Sequence, residues 1–172
     1  EASNSVGSYQ YIAAIIAWAV IFYALIYPIA SLSWGIFTLR SNLSDSAEAL
    51  SRGEFDKSLE KIHEAKKGIS NLEGFIGSLE VVRQTGLLSD QITEVENLMD
   101  LLLEVVNSSE HAVLGTEQLY GSLKAVSGEI QDDPKEYFNN AQVELAVADN
   151  GFSKALIDLK EGNFNDIPFL QS

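Results

Sequence analysis

Apolar residues recur at helical spacing along most of the chain. The most regular series alternates steps of four and three residues, which places its members on one face of an α-helix. Acidic residues lie off this face, and the spacing holds for nearly three heptads, so the series predicts a coiled-coil or bundle seam. The predicted seam consists of Leu88, Ile92, Val95, Met99, Leu102 and Val106.

Three further apolar series predict further helices. The first is Phe55, Leu59, Ile62, Ile69, Leu72, Ile76 and Leu79; the second is Val113, Leu119, Leu123, Val126 and Ile130; the third is Phe138, Leu145, Ala148, Phe152, Leu156 and Leu159. No segment alternates with a period of two over the length of a strand. The fold class is therefore predicted to be all-α, with about four helices that bury one face against each other in an antiparallel bundle.

Capping and turn residues separate the predicted helices. Asp133, followed by Pro134 and Glu136, has the order of a helix start, with a side-chain cap and proline in the first turn. A loop is predicted over residues 128–133. Asp45 and Glu48 have the spacing of another capping box. Residues 107–109 (Asn-Ser-Ser) are either a turn or a polar step within one long helix.

The N-terminal part has a different pattern, because no charged residue occurs between Glu1 and Arg40. Residues 9–37 are mostly apolar and exceed the roughly 20 residues that a helix needs to cross a bilayer. Aromatic residues lie near both ends of this run, and Pro28 is expected to kink or interrupt the helix. We predict a membrane-spanning or filament-core helix over 1–39, with the anchor residues Tyr11, Ile15, Trp18, Phe22, Leu25, Pro28 and Trp34.

Three segments follow from these patterns: the apolar helix at 1–39, an acidic helical bundle at 40–161 and an irregular tail at 162–172. No Lys or Arg precedes the apolar run, although cytoplasmic flanks usually carry them. Either a basic leader has been removed from a processed chain, or the N-terminus faces outward and Arg40 marks the inner side. We favour a single-pass protein whose C-terminal bundle is extracytoplasmic, at the cell surface.

Composition narrows the function classes. The chain has 172 residues with a net charge of −14, and only one of its charged residues precedes Arg40. This acidic balance argues against nucleic-acid binding, which needs clustered Lys and Arg. The absence of cysteine excludes disulfides, thiolate catalysis and cysteine-based metal sites.

Two short patterns resemble known proteins. Leu-x-x-Gly-x-Phe-Asx occurs at residues 50–56 and 159–165 and looks like the helix turn of tetratricopeptide-type hairpins, where glycine ends one helix and the aromatic residue packs into the next. The two copies lie too far apart for a repeat array. The uncharged run ending at residues 24–30, followed by 47–56 opening a helical stalk, resembles the N-terminal region of large uncharacterised prokaryotic envelope proteins. That resemblance implies an envelope location and no particular activity.

No residue set predicts catalysis, and we expect no cofactor or metal. His63 and His111, the only histidines, lie on different predicted helices and are interpreted as surface residues. Asp132 and Asp133 offer oxygens but lack the spacing of a calcium loop. Gly74 and Gly77 are the best candidates for close helix approach. The sequons at Asn42 and Asn107 are candidate glycosylation sites for an extracellular domain.

These observations favour a non-enzymatic cell-envelope protein. Segment 1–39 would contact the lipid bilayer, and the bundle would act as a structural or assembly subunit that contacts other envelope proteins or its own copies. The alternative is a pilin-type filament subunit, in which identical apolar helices form the fibre core. A third reading, a ligand-sensing bundle, is less favoured because no second membrane helix leads to a signalling domain.

Overall fold

The computed structural model describes residues 27–77 and 89–161, together with the single positions Ile15 and Arg83. These residues form four helices: α1 (Tyr27–Ser51), α2 (Phe55–Gly77), α3 (Ser89–Ser127) and α4 (Pro134–Glu161). No strand occurs among them. The predicted all-α class is therefore confirmed for the described part of the chain, while the predicted tail at 162–172 lies outside it.

Glycine ends both α1 and α3. Gly53 and Gly128 have φ angles of 74° and 81°, in the left-handed region that side chains with a Cβ disfavour. After Gly53, the Glu54 N–H donates to the Ala49 carbonyl at 3.0 Å. After Gly128, the Glu129 N–H donates to the Lys124 carbonyl at 2.9 Å, with the same separation of five positions. Both ends are thus Schellman caps. The turn at Gly53 and the loop at 128–133 occur where the sequence predicts them.

Asp133 caps the start of α4 as predicted. Its Oδ1 accepts a hydrogen bond from the Lys135 N–H at 2.9 Å, and Pro134 is the first helical residue. Pro134 has no N–H to satisfy, so it is well placed in the first turn. The second predicted capping box is wrong, because Asp45 and Glu48 lie inside α1. That helix continues unbroken because its buried face, including Ser46 and Ala49, still packs as it passes these residues.

The cap at Gly53 leads to the first testable prediction. Replacing Gly53 with Ala should destabilise the full chain by about 1 kcal/mol, because a Cβ disfavours the left-handed conformation. The control is Gly68→Ala, since Gly68 lies inside α2 and, in the described part of the chain, nothing lies within 4 Å of a Cβ built at this position. That variant should gain about 1 kcal/mol from helix propensity. Urea unfolding of both variants measures the difference, and a loss of stability at Gly68 as large as at Gly53 would contradict the assignment.

Each helix packs antiparallel on the next one in the chain. Ser46 of α1 is hydrogen-bonded to Ser58 of α2 at 2.8 Å, with both hydroxyls buried. Between α3 and α4, Lys154 near the end of α4 donates to Glu104. Ser122, further along α3, donates to the carbonyl of Pro134 at the start of α4, so the two helices run in opposite directions. The extensive contacts are α1 with α2, α2 with α3, and α3 with α4, the last being the largest. The described helices therefore form a sequential antiparallel bundle in which α3 lies between α2 and α4.

The main core lies among α1, α2 and α3. Ile62, Ile69, Met99 and Val106 are essentially inaccessible to solvent. From the predicted seam, Ile92, Met99 and Val106 are buried in this core, and Val95 and Leu102 pack against it half-buried. Leu88 lies outside the described residues. The other members of the core are Leu39, Ala65, Leu72, Ile76, Leu98 and Val113.

Residues 107–109 are a polar step within α3 and do not interrupt it. The Ser108 and Ser109 hydroxyls donate to the Glu104 and Val105 carbonyls at 2.7 and 2.8 Å, so the helix itself satisfies them. As a result α3 has 39 residues and is longer than the sequence suggested. This length allows its two halves to contact different neighbours.

The predicted membrane segment is described only in part. Among the described residues, no helix combines the length and the apolar character that a membrane crossing requires. Tyr11, Trp18, Phe22 and Leu25 lie outside that part, Ile15 is exposed, and Pro28 lies in the first turn of α1. Helix α1 runs past Arg40 without a break. The anchor therefore stays a prediction.

Candidate functional site

Helix α4 packs on α3 through small residues. Its buried residues are Ala141, Ala148, Gly151 and Ala155. With Tyr137 and Glu144 they follow alternating steps of four and three residues, so they share one helix face. Small side chains on this face allow the two backbones to approach closely, as in tightly packed helix pairs.

Glycines provide the closest points of this contact. A Cβ on Gly151 would collide with the Ser108 hydroxyl and lie 3.1 Å from Glu104 Oε1. A Cβ on Gly115 would lie 2.7 Å from Leu145 Cγ, and one on Gly121 would lie 2.6 Å from Tyr137 Cδ1. The expectation for Gly74 and Gly77 is not met among the described residues, none of which lies within 4 Å of a Cβ at either position.

The neighbouring face of α4 is apolar and exposed. We call it the outer seam; it is shifted by one residue from the buried face and keeps the same alternating spacing over three heptads. Its side chains at Phe138, Phe152, Leu156 and Leu159 are 55%, 41%, 51% and 51% exposed. The outer seam consists of Phe138, Gln142, Leu145, Asp149, Phe152, Leu156 and Leu159.

This arrangement corrects two sequence-based expectations. The series Phe138, Leu145, Ala148, Phe152, Leu156 and Leu159 was expected to be buried, but only Ala148 is. On α3, Leu123 and Val126 are also exposed, at 67% and 72%. The physical reason is that α4 turns mainly small residues toward α3, where the backbones are close. Leu145 and Tyr137 reach α3 where it has glycine, at Gly115 and Gly121, and the other large residues of the series stay exposed. Val143, Val147 and Ile157 on other faces of α4 are exposed as well.

Charged side chains link α3 to both neighbours. The Glu110 carboxylate pairs with two α2 side chains. Its Oε1 lies 3.3 Å from His63 Nε2, and its Oε2 forms an ion pair with Lys66 Nζ. The next residue, His111, bonds to Glu144 of α4 at 2.6 Å. His63 is mostly exposed, as expected for a surface histidine, whereas His111 is half-buried. These pairings could not be predicted from the sequence, because each partner lies far along the chain.

A third link reinforces the α3–α4 contact beside Gly151. Lys154 of α4 donates to Glu104 Oε2 at 3.0 Å. This hydrogen bond and the negative charge of Glu104 raise the pKa of Lys154 above its ordinary value. Lys154 is largely exposed to solvent and Glu104 is half-buried, so the ion pair orients α4 on α3 more than it stabilises the fold.

The two aspartates considered for calcium have structural roles. Asp133 caps α4, and Asp132 accepts a hydrogen bond from the Tyr137 hydroxyl at 3.0 Å. That hydrogen bond, with the charge of Asp132, raises the pKa of Tyr137. Among residues 27–77 and 89–161, no group of three or more His, Cys, Asp or Glu is placed to hold a metal ion.

The remaining candidate residues lie on helix surfaces. Asn42 in α1 and Asn107 in α3, the sequon asparagines, are half-exposed within helices. Trp34 and Phe37 of α1 are 72% and 66% exposed, and their ring centroids lie 6.1 Å apart. This exposed aromatic pair belongs to the uncharged segment that the sequence predicts as an anchor.

Comparison with known proteins yields no relative: no family model, no curated protein and no solved structure matches the chain. The class defined by the described residues is an all-α bundle with an exposed heptad surface on its last described helix. The resemblance to envelope proteins stays a prediction.

Proposed function

We propose that the protein is a non-enzymatic, membrane-anchored cell-envelope protein whose bundle is a structural or assembly subunit. The observation that carries the assembly role is the outer seam of α4. It contains two phenylalanines and three leucines, and four of these five are more than 40% exposed. Contiguous exposed apolar surface of this kind is typical of protein–protein contact sites.

The anchor in this proposal lies within segment 1–39, whose last residue, Leu39, already packs in the bundle core. The absence of any charge from Ala2 to Leu39 supports insertion into a lipid bilayer. The exposed Trp34–Phe37 pair near its end supports a position at the membrane interface, where aromatic rings concentrate. The bundle then projects away from the membrane, on the extracytoplasmic side in this proposal, with the outer seam available to a partner.

One experiment in the cells that make the protein tests both parts. A photo-reactive phenylalanine analogue replaces Gln142, an exposed residue within the outer seam, and the cells are irradiated. The matched control carries the same analogue at Asn140, which is exposed on α4 but outside the seam. The membranes are then washed at alkaline pH, and the chain is detected by immunoblot.

We expect the chain to stay with the washed membranes and the Gln142 variant to give one discrete larger product. The Asn140 variant should give little or none, because its side chain does not face the partner. Release of the chain by the alkaline wash would overturn the anchor. Equal products from both positions, or none from Gln142, would overturn the assembly role of the outer seam.

A further inference from the structure

We infer that the outer seam binds a basic amphipathic helix of another protein, laid along α4 as a coiled-coil partner with a Lys or Arg opposite Asp149. This inference rests on the proposed assembly function and specifies the chemistry of the partner. It is carried by the heptad spacing of the exposed residues, by the position of one aspartate among them, and by the charge of the chain.

The spacing of the outer seam fits a helix. Alternating steps of four and three residues from Phe138 to Leu159 make a straight stripe that a second helix can follow by knobs-into-holes packing. At about 1.5 Å per residue the stripe is roughly 30 Å long, enough for three heptads of a partner. An extended peptide would need a sheet edge, and no strand exists among the described residues.

Asp149 determines which charge a partner needs opposite the centre of the seam. It is the only charged residue among the seven seam positions and lies at their centre, with Leu145 and Phe152 on either side. Asp149 is exposed, and no Lys, Arg or His within residues 27–77 and 89–161 forms an ion pair with it. A single charge in an apolar seam selects a partner with the opposite charge at that position and sets the register.

Charge also excludes a second copy as the preferred occupant. Two chains with a net charge of −14 repel each other at long range, whereas a basic partner is attracted. The position of Asp149 within the outer seam also opposes pairing with a second copy. Asp149 is the fourth of the seven seam residues, with three on each side, so an antiparallel α4 pair would bring the two Asp149 side chains together near its twofold axis. Unpaired like charges there would oppose self-association.

The test uses the full chain in a non-ionic detergent and a fluorescein-labelled probe peptide. The peptide has three heptads with Leu at the a and d positions, except for a central Lys, and Lys on its flanks. Its acidic twin carries Glu in place of every Lys. Binding is followed by fluorescence anisotropy, and the signal from micelles alone is subtracted.

Two substitutions separate seam binding from general attraction. Asp149→Lys should weaken binding of the basic peptide by at least about tenfold, because it places like charges opposite each other. Its control is Asp158→Lys, which makes the same change of charge at an exposed α4 position outside the seam. Phe152→Gln, which leaves the charge unchanged, should weaken binding by about tenfold as well. Its control is Ile157→Gln, also exposed and outside the seam.

Several results would overturn the inference. These are equal binding of the acidic twin, equal weakening by Asp158→Lys and Asp149→Lys, or no effect of Phe152→Gln. Sedimentation of the full chain as a dimer that Phe152→Gln dissociates would show that a second copy covers the seam. If these results came with a discrete cross-link from Gln142 to another protein, the assembly role would stand and only the chemistry of the partner would be wrong.

Discussion

Replacing Ile62 with Ala is expected to destabilise the full chain by roughly 2–5 kcal/mol. Ile62 has no exposed surface and lies in the core formed by α1, α2 and α3. Truncation removes buried apolar surface and leaves a cavity that the surrounding helices fill only partly. Since natural domains are stable by about 5–15 kcal/mol, this single change should lower the urea midpoint markedly.

The control is Ile157→Ala, which makes the same chemical change on the exposed side of α4. Ile157 is 53% exposed, so its truncation should change the free energy of unfolding by no more than about 0.5 kcal/mol. Both variants are measured by urea unfolding under identical conditions. Equal losses at the two positions would mean that the core is not where the structure places it.

Replacing Gly151 with Leu is the second large expected effect. The new side chain would enter the contact between α3 and α4, where even a Cβ collides with the Ser108 hydroxyl. Ser108 is itself buried and cannot easily make room. Overpacking of this kind costs roughly 1–3 kcal/mol and occasionally more. Among the described helices α4 has an extensive contact only with α3, so we expect it to move away from α3 while the core among α1, α2 and α3 persists.

Hydrogen exchange distinguishes this local effect from global unfolding. Amides of α4 should lose protection in Gly151→Leu, whereas amides around Ile62 and Ile69 in α2 should keep theirs. The control is Gly74→Leu, since no described residue lies within 4 Å of a Cβ at Gly74 and leucine favours the helix. Uniform loss of protection in all helices would contradict the separate attachment of α4. A loss of stability in Gly74→Leu as large as in Gly151→Leu would contradict the assigned close contact.

The outer seam and the small-residue contact with α3 are both features of α4. Helix α4 has two neighbouring faces with the same heptad spacing, one rich in Ala and Gly and the other rich in Phe and Leu. The first attaches α4 to α3 at short distance, and Lys154 and Glu144 reinforce it through Glu104 and His111. The second remains uncovered in the described residues, which is why it carries the proposed partner contact.

Features that depend on near neighbours in the chain could be predicted from the sequence alone. The all-α class follows from the apolar spacing, and the turn at Gly53 and the helix start at Asp133 follow from local backbone preferences. These features were predictable because helix hydrogen bonds and caps join residues only a few positions apart. The same local preferences gave a wrong prediction at Asp45, because α1 continues through this capping sequence when its buried face packs.

The face of each helix that lies inside could not be predicted in this way, because it depends on contacts between helices. For α4 the two faces have the same spacing, and choosing the larger residues as the core gave the wrong side. The choice depends on how closely the α3 backbone can approach, and hence on Ser108 meeting Gly151 from a distant part of the chain. The pairings of Glu110 and His111 are equally non-local. Spacing along one helix specifies a stripe, but the surface that covers the stripe is set by contacts between helices.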